Sequence, residues 1–157
     1  MKWIKLFESF DIVYDFKYIE DVCAPLSDYN LKLNDVKEGS AIQFPKDKDI
    51  VTNINDFDIS MTYKSLVLDI KPIEGDSLTN KESFYEDLDD IIYHMESKFN
   101  LKLECIFFNC GSCFYYKSLE YFKQNTPRYD VNGRLIEPNA WKIRFITLDI
   151  MFRKLNP

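Results

Sequence analysis

Two segments of the chain place apolar residues at the spacing of an amphipathic helix. The clearer one carries a stripe at i, i+3, i+4, i+7 and i+11, formed by Leu88, Ile91, Ile92, Met95 and Phe99. Upstream of this stripe, Thr79-Asn80-Lys81-Glu82 has capping-box spacing, in which the Thr hydroxyl and the Glu carboxylate satisfy free amide donors of the first turn. The pattern therefore predicts a long helix that ends near residue 99.

A shorter stripe of the same spacing lies nearer the start of the chain, formed by Ile19, Val22, Cys23 and Leu26. Pro25 falls within this stripe and has no backbone N–H to donate. We therefore expect the first helix to end or kink near Ala24.

Alternation of apolar and polar residues predicts strands in three further segments. In residues 61–71, Leu66, Leu68 and Ile70 face away from Asp69. In residues 99–107, the alternation puts one set of side chains on a single face: Phe99, Leu101, Leu103, Cys105 and Phe107. Residues 141–152 are apolar on both faces at their middle, which is typical of a central strand. Residues 45–58 are polar and acidic and are predicted to form a long loop.

The helical and strand patterns occur twice, in the same order. Tyr29-Asn30-Leu31-Lys32-Leu33 recurs seventy positions later as Phe99-Asn100-Leu101-Lys102-Leu103. Downstream, Leu68-Asp69-Ile70 recurs as Leu148-Asp149-Ile150. The shared order indicates a duplicated helix-strand-strand unit, with copies at residues 15–71 and 82–152.

These elements predict one α+β domain over residues 1–157. We expect a two-layer sandwich, in which a mainly antiparallel sheet of five or six strands carries two helices on one face, because this arrangement buries both helical stripes against one layer. Period two then places Leu68, Ile70, Leu148 and Ile150 against the helices. It places Asp69 and Asp149 on the other face, where we expect them to meet water.

Composition narrows the class of protein. The chain carries a net charge of −6, and it has no apolar run of the length that a membrane span requires. We expect a cytoplasmic protein that does not bind membranes. The acidic charge also makes nucleic-acid binding unlikely, because contacts with phosphate groups need clustered Lys and Arg. The four arginines are all close to the C-terminal end, at Arg128, Arg134, Arg144 and Arg153. They are candidates for contacts with a ligand or partner. The sequence is also compatible with a homodimer.

Cysteines and a single histidine are the candidates for metal binding. Cys105, Cys110 and Cys113 have the spacing C-x4-C-x2-C, and with His94 they would make four ligands of the kind that tetrahedral zinc takes. A structural zinc site usually needs two such paired cysteine motifs, and only one is present. We therefore expect reduced cysteines and no metal, and we expect no redox site, since the βαβ start of a thioredoxin-like fold is not evident.

No catalytic set stands out in the sequence. His94 is the only histidine, and none of the four glycines lies in a phosphate-cradling motif. We therefore expect no catalytic residues and no cofactor, and the interpretation leans away from an enzyme.

The first ten residues carry a resemblance. Met1-Lys2-Trp3-Ile4-Lys5-Leu6-Phe7-Glu8-Ser9-Phe10 resembles the opening of small uncharacterised accessory proteins of large contractile-tailed phages. Some internal head proteins of such phages are cut after a Leu/Ile-x-Glu tripeptide, which Leu6-Phe7-Glu8 matches, so the resemblance leaves a location inside the virion open. The alternative is an ordinary amphipathic start that packs on the core.

The leading hypothesis is a non-enzymatic phage accessory protein that binds a host protein and inhibits or redirects it, in host takeover or counter-defence. The alternative is a protein that binds a small molecule, a nucleotide or a metal, using Asp69 and Asp149 or the arginine-bearing segment. A bacterial immunity protein against a toxin is a third hypothesis.

Overall fold

A computed structural model describes residues 15–75, 77–126, 128–129, 135–136 and 142–155. Its α-helices are α1 (Phe16–Cys23), α2 (Lys81–Phe99) and α3 (Leu119–Asn125), and 3-10 turns cover Ala24–Tyr29 and Ile54–Asp56. Its strands are β1 (Leu31–Gln43), β2 (Ile50–Val51), β3 (Asp58–Pro72), β4 (Ser77–Asn80), β5 (Leu101–Asn109), β6 (Cys113–Tyr116), β7 (Arg128–Tyr129), β8 (Leu135–Ile136), β9 (Lys142–Phe145) and β10 (Thr147–Lys154).

The main sheet has six strands in the order β1-β3-β10-β5-β6-β2, and every pairing in it is antiparallel. Two short ribbons, β4-β9 and β7-β8, accompany it. The predicted α+β class with a six-stranded antiparallel sheet is confirmed. The described residues contain three helices instead of two, because residues 119–125 form the short helix α3 after β6.

Local chemistry sets the beginning and the end of α1. The Asp15 side chain accepts a hydrogen bond of 3.2 Å from the Tyr18 amide and caps α1. Pro25 lies in the first positions of the 3-10 turn that follows α1, so the predicted end of the helix near Ala24 is confirmed. The side chains of Thr79 and Glu82 lie outside the described part of the chain, and the capping box stays a prediction.

One large apolar core lies between the helices and the sheet. From the sheet, Leu68, Ile70, Leu148 and Ile150 are each at most 1% exposed, which confirms their predicted burial. From the helices, the same cluster contains Ile19, Cys23, Leu26, Leu88, Ile91, Ile92 and Met95. We call the opposite side of the sheet the second face.

The two halves of the chain share several local features. Asn30 and Asn100, which occupy matching places in the repeated pentapeptide, both have positive φ (61° and 53°) and both turn the chain from a helical segment into a strand. A β-bulge then follows in each strand, with Asn34 as the extra residue of β1 and Glu104 as that of β5. These parallels are what a duplicated unit predicts, and the duplication itself stays a prediction.

The register of the strands corrects one detail of the repeat. Leu31 pairs with Pro72 and Leu101 pairs with Lys154, so β3 and β10 correspond at an offset of 82 residues. In this register the counterpart of Leu68 is Ile150, and Leu148 is the wrong match. The offset rises from seventy to 82 because the connection between β5 and β10 is longer than that between β1 and β3.

The bulge at Glu104 overturns a predicted face assignment. Leu101 and Leu103 belong to the main core, but beyond the bulge Ile106 and Phe108 take over that side of β5. Cys105 therefore turns to the second face, where it joins a smaller apolar cluster with Phe44, Val51 and Phe57. Uninterrupted alternation would have kept Cys105 with Leu103, and the inserted residue shifts the phase by one.

Two other predicted segments also differ in part. Residues 45–58 contain β2 and a 3-10 turn besides loop. The described part of the predicted strand 141–152, from residue 142 on, divides into β9 and β10, and β10 is a central strand of the sheet. Among the described helices, none has the length and the apolar character that crossing a bilayer requires.

Replacing Leu148 with alanine should lower the free energy of unfolding by roughly 2–5 kcal/mol, because the change removes buried contacts and leaves a cavity. Ile146→Ala is the matched control, since Ile146 precedes the same strand and is 47% exposed. Chemical denaturation measures both. Equal, small effects of the two substitutions would contradict the helix-on-sheet packing.

Candidate binding site

On the second face, two carboxyl groups lie side by side on the neighbouring strands β3 and β10. β3 and β10 are neighbours in the sheet, and their register places Asp69 directly opposite Asp149. Residues opposite each other in an antiparallel pair share a face, so both side chains project on the second face. The structure therefore brings together the two Asp residues that the sequence singled out.

Asp69 is buried, with 4% of its surface exposed, so the expectation that it meets water is wrong. Its Oδ2 accepts a hydrogen bond of 3.1 Å from the Asn34 amide, and its Oδ1 accepts one of 3.0 Å from the Thr147 hydroxyl. The Lys71 ammonium lies 3.8 Å from Oδ2. Asn34 reaches Asp69 because it is the extra residue of the β1 bulge, which redirects its side chain.

The two carboxyl groups titrate differently. Burial raises the pKa of Asp149 to about 7, and a hydrogen bond to Asp69 together with the negative charge of Asp69 acts in the same direction, against the opposing effect of Lys37 and Lys71. For Asp69, burial alone would raise the pKa, but hydrogen bonds from Asp149, Asn34 and Thr147 and the charge of Lys71 lower it overall. Near neutral pH the pair thus carries about one shared proton, donated by Asp149 to the Asp69 carboxylate.

An apolar cavity lies further along the second face, and neither Asp69 nor Asp149 lines it. It has a volume of about 270 Å³, and it is lined by Ser40, Ala41, Ile54, Phe57, Cys105, Tyr115 and Met151. Met151 is two residues beyond Asp149 on the same face of β10, a distance of about 7 Å along a strand. Burial raises the pKa of the Cys105 thiol, so this part of the wall is neutral.

The chain segment between β1 and β3 forms the outer wall of the cavity. In the sheet, β3 and β10 separate β1 from β5, yet the Phe44 amide after β1 donates a hydrogen bond of 3.2 Å to Glu104 in β5. The segment therefore crosses the second face, and β2 within it pairs with β6 at the far edge. Phe57 packs edge-on against Phe44 and Tyr115, with ring centroids 5.6 and 5.0 Å apart.

Two polar atoms on this face are buried without a hydrogen-bond partner among the described residues, the Tyr63 hydroxyl and Asp149 Oδ1. Burial, together with the negative charge of Glu104, raises the pKa of Tyr63, so the phenol stays protonated and can donate. Such atoms mark places where a polar group of a ligand gains a hydrogen bond that the protein leaves unmade.

Of the four arginine candidates, only Arg153 has a described side chain. Arg153 lies on β10 with its Nε 3.9 Å from Glu104 Oε2. Arg128 and Arg144 lie on β7 and β9, but their side chains are outside the described part, as is the whole of Arg134. The phage-like opening, residues 1–10, also lies outside the described residues.

The metal candidates lie in separate places. Cys105 is buried in the cavity wall, Cys110 and Cys113 flank the exposed turn between β5 and β6, and His94 lies on α2, in the other layer. Within the described residues, no group of three or more His, Cys, Asp or Glu side chains is placed to hold a metal ion.

Comparison of the chain with protein-family models, with curated proteins and with solved structures finds no match. Function therefore has to be inferred from the geometry of this face.

Asp149→Asn should stabilise the protein at pH 8 and change its stability little at pH 5. The folded state keeps the Asp149 proton up to about pH 7 whereas the unfolded chain loses it near its ordinary pKa of 3.8, so wild-type stability falls as the pH rises between these values. Asp69, whose pKa is lowered, affects stability only at more acidic pH. The asparagine amide keeps a donor to Asp69 without the charge.

The gain at pH 8 relative to pH 5 should be roughly 1–3 kcal/mol, measured by denaturation at both pH values. Asp89→Asn, an exposed position on α2, is the control and should show no such difference. If the free energy of unfolding depends on pH in the same way for the wild type and Asp149→Asn, the two carboxyl groups do not share a proton.

Proposed function

We propose that this protein is a non-catalytic binding protein that takes up a small, mainly apolar molecule carrying a basic group. The observation that carries the proposal is the apolar cavity on the second face, whose wall includes Met151, two residues beyond Asp149 of the carboxyl pair. An apolar pocket with a few polar groups and perturbed pKa values is the usual form of a small-molecule site. The volume of about 270 Å³ suits a ligand the size of one or two rings.

The carboxyl pair supports a basic group on the ligand. Near neutral pH the pair holds one negative charge and one proton, and a protonated amine close to Asp149 would favour its ionised form. The amine would replace the shared proton, which leaves to solvent, and the site would then hold two carboxylates and one cation. The aromatic walls Phe57 and Tyr115 add apolar contact for the body of the ligand.

Binding of a partner protein is the second candidate, and the observation in its favour is the edge strand β1. β1 has thirteen residues and pairs only with β3 within the described part of the chain. An exposed edge can accept a further strand from a partner. With the resemblance of residues 1–10, this supports a phage accessory protein that acts on a host protein in the host cytoplasm.

We expect 1-naphthylmethylamine to bind more tightly than its neutral analogue 1-naphthylmethanol, by roughly 5- to 20-fold at pH 7.5, because only the amine meets the carboxyl pair with a charge. Ala41→Trp should weaken both ligands, since Ala41 lines the cavity and pairs with Tyr63 on the second face, so that the indole would occupy the opening. Isothermal titration calorimetry measures these affinities.

Ala24→Trp is the matched control, because it makes the same change at an exposed alanine that does not line the cavity. Asp149→Asn should remove the preference for the amine while leaving the affinity for the alcohol unchanged. If neither ligand binds, or if Ala41→Trp and Ala24→Trp bind alike, the cavity is not the site. Capture of a host protein that Ala41→Trp leaves intact would favour the edge strand β1 instead.

A further inference from the structure

A second, larger cleft lies at the end of the sheet where β5 begins and β10 ends. The segment after β1 and the turn before α3 complete its walls, and its volume is about 450 Å³. Basic side chains reach it from four separate parts of the chain: Lys46, Lys102, Lys117 and Arg153. Since these positions are far apart in the sequence, the concentration of positive charge is a product of the fold.

The acidic side chains in the cleft are already engaged by the protein. Glu104 accepts from the Phe44 amide and faces Arg153, and Glu96 accepts a hydrogen bond of 2.8 Å from the Leu103 amide. The Asp49 carboxylate bonds to the Tyr121 hydroxyl, which raises the pKa of that tyrosine. Their three negative charges offset all but one of the four positive charges, but their hydrogen-bonding capacity is directed at the protein and not at the lysines.

The lysines, by contrast, keep their charges available. None of Lys46, Lys102 and Lys117 lies within 4 Å of a carboxylate in the part of the chain that the structure describes. Lysine binds phosphate as a mobile point charge, and arginine adds a planar set of donors. An anion of two or more charges would gain from all four groups, and it would remove their mutual repulsion.

The size of the cleft indicates the rest of the ligand. A free phosphate ion would fill a small part of 450 Å³, and Tyr121 and Phe44 contribute ring surface to the walls. The Phe44–Phe57 contact, with ring centroids 5.6 Å apart, stands between this cleft and the apolar cavity. The two sites therefore differ in place, in charge and in the ligand that suits them.

We propose that this cleft binds a phosphate-bearing small molecule of nucleotide size. The phosphate groups are held by Lys102, Lys117 and Arg153, with Lys46 closing over them from the segment after β1. Tyr121 lies against the organic part of the ligand. The site is independent of the carboxyl pair, so it can be occupied while the apolar cavity is empty.

Titration calorimetry with adenosine 5′-diphosphate, inorganic pyrophosphate and adenosine tests the proposal at low ionic strength. We expect both phosphorylated compounds to bind, adenosine diphosphate more tightly than pyrophosphate, and adenosine alone to bind at least tenfold more weakly. The double variant Lys102→Ala/Lys117→Ala should weaken both by roughly 10- to 100-fold. Lys48→Ala, an exposed lysine next to the cleft segment that does not line it, should have no effect.

The substitutions are at exposed lysines, so folding is not at risk, and the binding of 1-naphthylmethylamine in the same variants should be unchanged. Equal losses of affinity in Lys48→Ala and in the double variant would show that general surface charge causes the effect, and this result would overturn the proposal. Binding of adenosine as tight as that of its diphosphate would overturn it as well. A short single-stranded DNA that binds more tightly than adenosine diphosphate through the same lysines would assign the cleft to nucleic acid instead.

Discussion

The antiparallel pairing of β3 with β10 is the interaction on which the rest of the structure depends. It joins the two helix-strand-strand halves into one sheet, and its register puts Leu68 opposite Ile150 and Ile70 opposite Leu148, all of them facing the helices. The same register necessarily puts Asp69 opposite Asp149 on the second face. One set of backbone hydrogen bonds thus determines both the centre of the core and the carboxyl pair.

The two halves have similar frameworks but different surface chemistry. At the offsets of 70 and 82 residues, Cys105 and Met151 take the places that Asp35 and Asp69 occupy in the first half. At these matched positions the second face is charged on β1 and β3 and apolar on β5 and β10. The cavity is lined by both apolar residues, Cys105 and Met151, and Met151 lies two residues beyond Asp149. A ligand with an apolar body and a basic group matches this division. The extra residue of each bulge contacts a charged side chain on the neighbouring strand: Asn34 donates to Asp69, and Glu104 faces Arg153.

Much of the fold could be predicted because it follows from local patterns of apolar and polar residues. The stripe that ends at Phe99 and the proline at position 25 set the limits of two helices, and period two identified the buried faces of β3 and β10. The bulge at Glu104 could not be predicted, since an extra residue leaves no trace in the types of its neighbours. Because of this bulge, the alternation pattern placed Cys105 on the wrong face of the sheet. The sequence therefore did not predict that Cys105 lines the cavity.

The candidate site was predicted only in part, for a related reason. Asp69 and Asp149 each belong to a copy of a repeated Leu-Asp-Ile tripeptide, which the sequence shows directly. Strand pairing depends on contacts between residues far apart in the chain, so the sequence did not predict the contact between the two Asp residues or the burial of Asp69. Asn34, Thr147 and Lys71 had no signal of their own, because each acts only through its position beside Asp69. The basic cleft is a similar case, assembled from four separated segments of which only Arg153 was a candidate.

The central claim is that Asp69 and Asp149 form one proton-sharing pair, and carbon-13 NMR of the aspartate side-chain carboxyl groups across a pH titration tests it most directly. We predict that the Asp149 carboxyl signal titrates near pH 7 and that the Asp69 signal responds in the same step, with its own main titration below the ordinary range of aspartate. Independent titration of both carboxyl groups near pH 4 would contradict the account, because two adjacent buried carboxyl groups cannot both ionise at the pH of a free side chain.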